Sequence, residues 1–162
     1  MSQTETRTEG CDLVLTRHIA APPEKVWSAW TTPDLLTRWF APAPVQVPEA
    51  VIEAHPGGQF RIVMELPDGK RMSHPGCVLV AEEGRSLIFT DALDAGFRPR
   101  GQGFMTALID IEPEGAGTRY TVRVLHKDGA DCKKHEDMGF AQGWTAATAQ
   151  LAALVEELAP AA

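Results

Sequence analysis

Hydrophobic and polar positions along the chain change their period twice. From Cys11 to Ile19 the run Cys-Asp-Leu-Val-Leu-Thr-Arg-His-Ile is rich in apolar and β-branched residues and stops at Ala20-Ala21-Pro22-Pro23, which predicts a first strand. The period then becomes helical. Pro22-Pro23-Glu24 opens a short helix: proline suits a first turn, where its missing N–H would have no partner, and Glu24 faces the positive helix end. Val26, Trp27 and Trp30 form its apolar stripe. Thr32-Pro33-Asp34 starts a second helix with Thr32 as N-cap; Leu35, Leu36, Trp39 and Phe40 supply its apolar side, and Pro42 and Pro44 end it.

From Pro48 onward the period is two. Strands are predicted over Glu49–Ala54, Gln59–Leu66, Lys70–Glu82, Arg85–Leu93, Gly103–Glu112 and Thr118–Lys127. Pro56-Gly57-Gly58, Pro67-Asp68-Gly69, Glu83-Gly84 and Glu114-Gly115-Ala116-Gly117 are the turns between them. Pro75-Gly76 predicts a bulge or edge kink inside the third of these strands. Asp94–Gly103, with its glycines and Pro99, reads as a mobile loop. The last segment returns to a helical period. A helix capped at Asp131 or just before runs to about Leu158, with Phe140, Trp144, Ala147, Leu151, Leu154 and Leu158 as one seam. Gly139 and Gly143 would permit a close backbone approach on one side.

The predicted fold is α+β: a curved antiparallel sheet of seven strands around a long C-terminal helix, with two short helices between strands one and two. Seven strands span about 30 Å at ~4.8 Å each, whereas a helix is about 10 Å across. One helix cannot cover such a sheet, and two short helices close only an end. Phe60, Phe89, Phe104, Trp39 and a few Met and Leu are left to fill the remainder. An unfilled apolar space costs about 24 cal/mol per Å³, so a hollow is expected that a small molecule occupies.

Composition narrows the choices. The 162 residues suit one domain, expected over residues 10–160 after a loose tail at 1–9. Apolar residues at 44% are ordinary for a globular chain. A net charge of −7 argues against nucleic acid and against anionic membrane surfaces. Cys11, Cys77 and Cys132 have no metal or disulfide spacing, and the N-terminus lacks an apolar leader, so a cytoplasmic location is expected. Homodimerisation through a sheet edge or the long helix is compatible with the pattern.

Several runs then carry a resemblance. Thr16-Arg17-His18-Ile19-Ala20-Ala21-Pro22, Val26-Trp27-Ser28-Ala29-Trp30-Thr31-Thr32-Pro33 and Trp39-Phe40-Ala41-Pro42 are followed by Pro56-Gly57-Gly58-Gln59-Phe60, Leu87-Ile88-Phe89-Thr90-Asp91, Gly117-Thr118-Arg119-Tyr120-Thr121, and His135-Glu136-Asp137-Met138-Gly139-Phe140 with Gly143-Trp144. In order and spacing the chain resembles the START-like (SRPBCC) superfamily, in particular the bacterial branch related to the activator of the heat-shock chaperone ATPase. The resemblance implies a helix-grip fold with a cavity between sheet and long helix. It implies no single activity, since members bind lipids, hormones or polyketides and a few are enzymes. Two departures stand out. Glu53-Ala54-His55-Pro56 precedes Gly57-Gly58 where relatives usually read Asp-x-Arg-x, and Asp91 stands where many carry an aromatic residue.

Candidate chemistry is sparse. His18, His55, His74, His126 and His135 show neither HxH nor HExxH spacing, so no metal site and no fixed cofactor are expected. Nucleophile motifs and phosphate-binding glycine loops are absent, and no catalytic residue is assigned. The expected lining of the hollow is Trp39, Phe60, Met64, His74, Phe89, Asp91, His126, His135 and Met138, with His126 and His135 flanking the turn into the long helix. The principal expectation is a binder of a small apolar molecule. Two alternatives are a cyclase- or hydrolase-like enzyme using Asp91 with a histidine, and a module that stimulates a chaperone ATPase.

Overall fold

Strand β2 (Asp12–Ile19) is the first strand that the sequence predicts, but another precedes it. In the computed structural model, which describes residues 3–158, β1 (Glu5–Glu9) pairs antiparallel with β2, from Glu5 opposite Thr16 to Glu9 opposite Asp12. The loose tail expected over residues 1–9 is thus corrected from residue 5 onward. All of β1 is exposed, so no apolar pattern marks it. The backbone ladder holds it, together with Arg123, which reaches both Glu9 and Asp12 at 2.8 Å. Residues 1–2, and the domain end expected at residue 160, lie outside the described residues.

Helix α1 (Pro23–Thr31) begins with proline in its first turn and buries Val26, Trp27, Ala29 and Trp30. Helix α2 (Pro33–Leu36) is a single turn, shorter than the helix expected to reach Phe40. The sheet continues through β3 (Gln46–Ile52), β4 (Gln59–Glu65), β5 (Arg71–Glu82) and β6 (Ser86–Thr90). A two-stranded flap, β7 (Leu93–Asp94) and β8 (Arg98–Pro99), precedes β9 (Thr106–Glu114) and β10 (Gly117–Leu125). The main sheet has eight strands in the order β1-β2-β10-β9-β6-β5-β4-β3, all antiparallel, one more than the seven expected.

Two local expectations are corrected. Pro75-Gly76 does not interrupt β5; both residues pair with β4, and the register shift falls between Val78 and Val80. The Pro75 carbonyl accepts from Arg100, on the side away from β4. N–H and C=O of one strand residue point the same way, so proline's missing donor costs the β4 ladder nothing. The segment expected as a mobile loop is tied down: Gly96 N–H donates to the Gly57 carbonyl at 2.7 Å, and Arg100 bonds the carbonyls of Pro75 and Asp91. Phe97 covers Gly57, which has φ +84°; a Cβ there would lie 2.9 Å from the Phe97 ring.

After β10 the chain forms two helices instead of one. Asp128 caps α3 (Gly129–Asp137), its side chain accepting from Asp131 N–H at 2.9 Å. Gly139, at φ +94°, breaks the path before α4 (Phe140–Leu158). The close approach expected at Gly139 and Gly143 is absent: nothing lies within 4 Å of a Cβ built on Gly143. The seam of α4 is wider than its predicted line, since Thr148, Ala152 and Val155 are also buried while Leu158 is 44% exposed. Among the described residues, no helix is long and apolar enough to cross a membrane. The architecture is the expected α+β helix-grip arrangement.

The concave face carries the core. Leu13, Leu15 and Ile19 of β2, Ala107, Ile109 and Ile111 of β9, Tyr120, Val122 and Val124 of β10, and Phe60, Ile62, Leu87 and Phe89 belong to one buried cluster with Leu151, Leu154 and Val155 of α4. Helix α1 packs against β9, β10 and α4. That placement drives Trp30 into the middle of the concave face, where it is fully buried.

Candidate functional site

Trp30 is the hub of an aromatic file that runs through the space between sheet and helices. Its ring centroid lies 4.9 Å from Trp39, 5.8 Å from Phe40, 5.7 Å from Phe89 and 6.4 Å from Phe60. Phe60 and Phe89 stack at 4.0 Å with planes 13° apart. Phe40 bridges outward to Trp144 at 6.5 Å, and Trp144 stacks on Phe140 at 5.7 Å. The indole N–H groups of the two buried tryptophans are satisfied: Trp30 Nε1 donates to the Tyr120 hydroxyl and Trp39 Nε1 to the Ala29 carbonyl, both at 3.0 Å. Gln150 of α4 straps the loop in place, donating to the carbonyls of Trp39 and Ala41 and accepting from Ala43 N–H.

The expectation of an open hollow is corrected. The sheet is as broad as predicted, but α1 with Trp30 and the half-buried Phe40 occupy the space that the width comparison left free. Two clefts lie at the edges of the sheet. One, of about 340 Å³, is lined by Arg38, Ala43, Val45, Val47, Pro48 and Gln150 among others; the second, of about 330 Å³, lies between Thr6, Thr8 and Leu13 on one side and Glu136, Phe140 and Gln142 on the other. None of the expected lining residues borders either.

At the far end of the file sits a polar cluster. His126 directly follows β10 and His135 lies on α3, and the turn between them folds one ring onto the other. His126 Nδ1 is 2.8 Å from the Cys11 carbonyl, and His126 Nε2 is 2.9 Å from His135 Nδ1. A carbonyl oxygen only accepts, so His126 Nδ1 carries a proton and donates it. In neutral His126, Nε2 is then the acceptor and His135 Nδ1 the donor. This leaves His135 Nε2 as a lone pair with no hydrogen-bond partner among the described residues. Each histidine is 9% exposed. Phe104 and Phe140 flank His135 at centroid distances of 5.1 and 5.2 Å.

Burial, then the neighbouring His126, push the His135 pKa down to about 4, while the Asp91 carboxylate acts in the opposite sense. Unfolded histidine titrates near 6.5, so between about pH 6.5 and 4 the unfolded chain holds more protons than the native one. Stability from this group is therefore complete above pH ~6.5 and is lost as pH falls towards 4. Urea midpoints measured from pH 7.5 to 4.5 are expected to fall in that window for the native protein, and less steeply for His135→Phe.

The remaining expected residues divide. Phe60, Phe89 and Trp39 are buried in the file, and Met64 packs half-buried against it. Asp91 is half-buried, but its Oδ1 accepts from the backbone N–H groups of Phe104 and Met105 at 2.7 and 3.0 Å, a brace for the strand entering β9. His74 stands opposite Ile62, hence on the concave side, yet is exposed because the helices do not reach that part of β5. Met138 is 67% exposed; the break at Gly139 turns it outward. His74 and Met138 are therefore not lining residues. Phe104, Phe140 and Trp144 read as core from the sequence but meet the histidine pair or the outer file. Among the described residues, no group of three or more His, Cys, Asp or Glu is placed to hold a metal ion.

The family model described as "Activator of Hsp90 ATPase homolog 1-like protein" matches residues 20–156. A crystal structure of a Nitrosomonas europaea protein is similar at 37% identity, covering 94% of this chain and 98% of that one, with a TM-score of 0.90. A Rhodobacter sphaeroides protein is similar at 25% identity over 97% of this chain and 99% of its own, TM-score 0.82. The AHSA1 protein from Silicibacter pomeroyi is similar at 25% identity over 91% and 99%, TM-score 0.70. No curated protein matches the sequence significantly.

Proposed function

Since the chain belongs to the Activator of Hsp90 ATPase homolog 1-like family, we propose that it binds a small apolar or amphipathic molecule between the sheet and α4, along the aromatic file. The observation that carries this reading is the gradient of burial along that file. Trp30, Phe60 and Phe89 are sealed, whereas Phe40, Met64, Met105, Phe104 and Trp144 are half-buried and ring the approach to them. Apolar walls with a small number of polar groups at one end are the usual composition of a small-molecule site, and the histidine pair is that end. Uptake displaces Phe40 and Trp144, and the break at Gly139 lets the first turns of α4 move relative to α3. The acid–base reading has less support, because one oxygen of Asp91 is already committed to two backbone donors.

The neutral fluorophore N-phenyl-1-naphthylamine tests the proposal. It is expected to bind one per chain with a blue-shifted emission, and Trp144→Ala is expected to alter its affinity several-fold in either direction. A linear, non-saturating response identical in both proteins would remove the proposal.

A further inference from the structure

We infer that His135 Nε2 is the anchoring acceptor for an O–H group on an otherwise apolar ligand, so that the site selects neutral hydroxyl-bearing molecules over carboxylates. The inference rests on the binding reading above and adds the chemical class of the ligand. Its basis is the proton order along the pair. The Cys11 carbonyl fixes the proton on His126 Nδ1, neutral His126 turns its acceptor towards His135 Nδ1, and the remaining lone pair is left on His135 Nε2.

That nitrogen is not sealed. Among the described residues the only fully buried side-chain N or O atom lacking a partner is Arg17 Nε. His135 Nε2, which also lacks one, therefore retains access, and a ligand placed there meets an acceptor whose competing partner is at most a water. The rings of Phe104 and Phe140 on either side supply apolar walls, and Phe140 leads by its stack on Trp144 into the file.

The charges around the pair decide the class. Asp91 is the carboxylate that acts on His135, and Glu136 is the next residue on α3, bonded to Thr8. Lys134 Nζ lies over the Phe104 ring at 5.8 Å and, unlike Asp91, is not among the charges that act on His135. A neutral imidazole beside a carboxylate accepts a hydrogen bond from a hydroxyl, but offers a ligand carboxylate no donor and a like charge. Both effects disfavour the anion.

Three probes of one shape read this directly: 2-naphthol, 2-methoxynaphthalene and 2-naphthoate, titrated by fluorescence at pH 7.5 into the native protein and into His135→Phe. The native protein is expected to bind 2-naphthol about tenfold more tightly than its methyl ether, one hydrogen bond's worth, and the naphthoate most weakly. His135→Phe is expected to lose the hydroxyl preference and to bind 2-naphthol and its ether alike. Equal binding of the three by the native protein, or a preference that survives in His135→Phe, overturns this inference alone. Absence of binding by all three overturns the binding reading with it. Independently of any ligand, a long-range ¹H–¹⁵N spectrum is expected to show His135 protonated at Nδ1 and pyridine-like at Nε2. The opposite tautomer overturns the inference even in a variant series that folds poorly.

Discussion

Trp30→Ala is expected to cost about 4 kcal/mol of unfolding free energy, a large share of a domain's total. Trp30 is fully buried, touches four other aromatic rings and donates to the Tyr120 hydroxyl. Truncation removes the transfer energy of an indole and leaves a void under α1. It also orphans the hydroxyl of a wholly buried tyrosine, which alone is worth about 1–3 kcal/mol. Trp30→Phe keeps most of the volume and is expected to lose about half as much. Urea denaturation checks both: the midpoint should drop with an unchanged m-value. A loss below about 1 kcal/mol for Trp30→Ala would mean that α1 does not anchor the concave face as described.

Phe89→Ala is expected to move stability and binding in opposite directions. The Phe60–Phe89 stack lies beneath Trp30, and both phenyl rings are 4% exposed. Removing one ring is expected to cost about 3 kcal/mol. It also leaves an apolar space of the kind that stays dry and takes up small aromatic guests. If the file is a binding tract, N-phenyl-1-naphthylamine affinity should rise about tenfold in Phe89→Ala as stability falls, because the guest then gains a space beneath Trp30 that the native ring fills. Loss of stability with no gain in affinity would assign Phe60 and Phe89 to structure alone.

Much of this architecture is legible in the chain because it rests on short-range signals. Period two over Gln59–Glu65, proline in the first turn of α1 and the apolar seam of α4 each follow from neighbours in sequence. Three features escape for one shared reason: they are fixed by partners far along the chain. Strand β1 is polar throughout and exists through its ladder to β2 and through Arg123. The break at Gly139 depends on where α3 and α4 each find their packing, and it is what expels Met138. The filled interior depends on α1 packing on β9 and β10 and carrying Trp30 inward, which a count of strand and helix widths leaves out. The approach of His126 to His135 was open to the sequence because a short turn joins them. Their proton order was not, since it is set by the carbonyl of Cys11, which just precedes the neighbouring strand β2 and is more than a hundred residues away in sequence.

The site itself is less legible than the fold. Aromatic residues serve a core and a binding tract equally well in sequence, and only burial separates sealed Phe89 from half-buried Trp144. Likewise Asp91 draws notice as a lone carboxylate after an apolar strand, but its two backbone donors come from Phe104 and Met105, more than ten residues on.

Where a bound probe sits tests the central claim most directly. With N-phenyl-1-naphthylamine at saturation, intermolecular NOEs are expected to the rings of Phe60, Phe89, Phe104 and Trp144. NOEs confined to residues of the edge clefts, such as Val47 and Pro48 or Thr6 and Gln142, would contradict it.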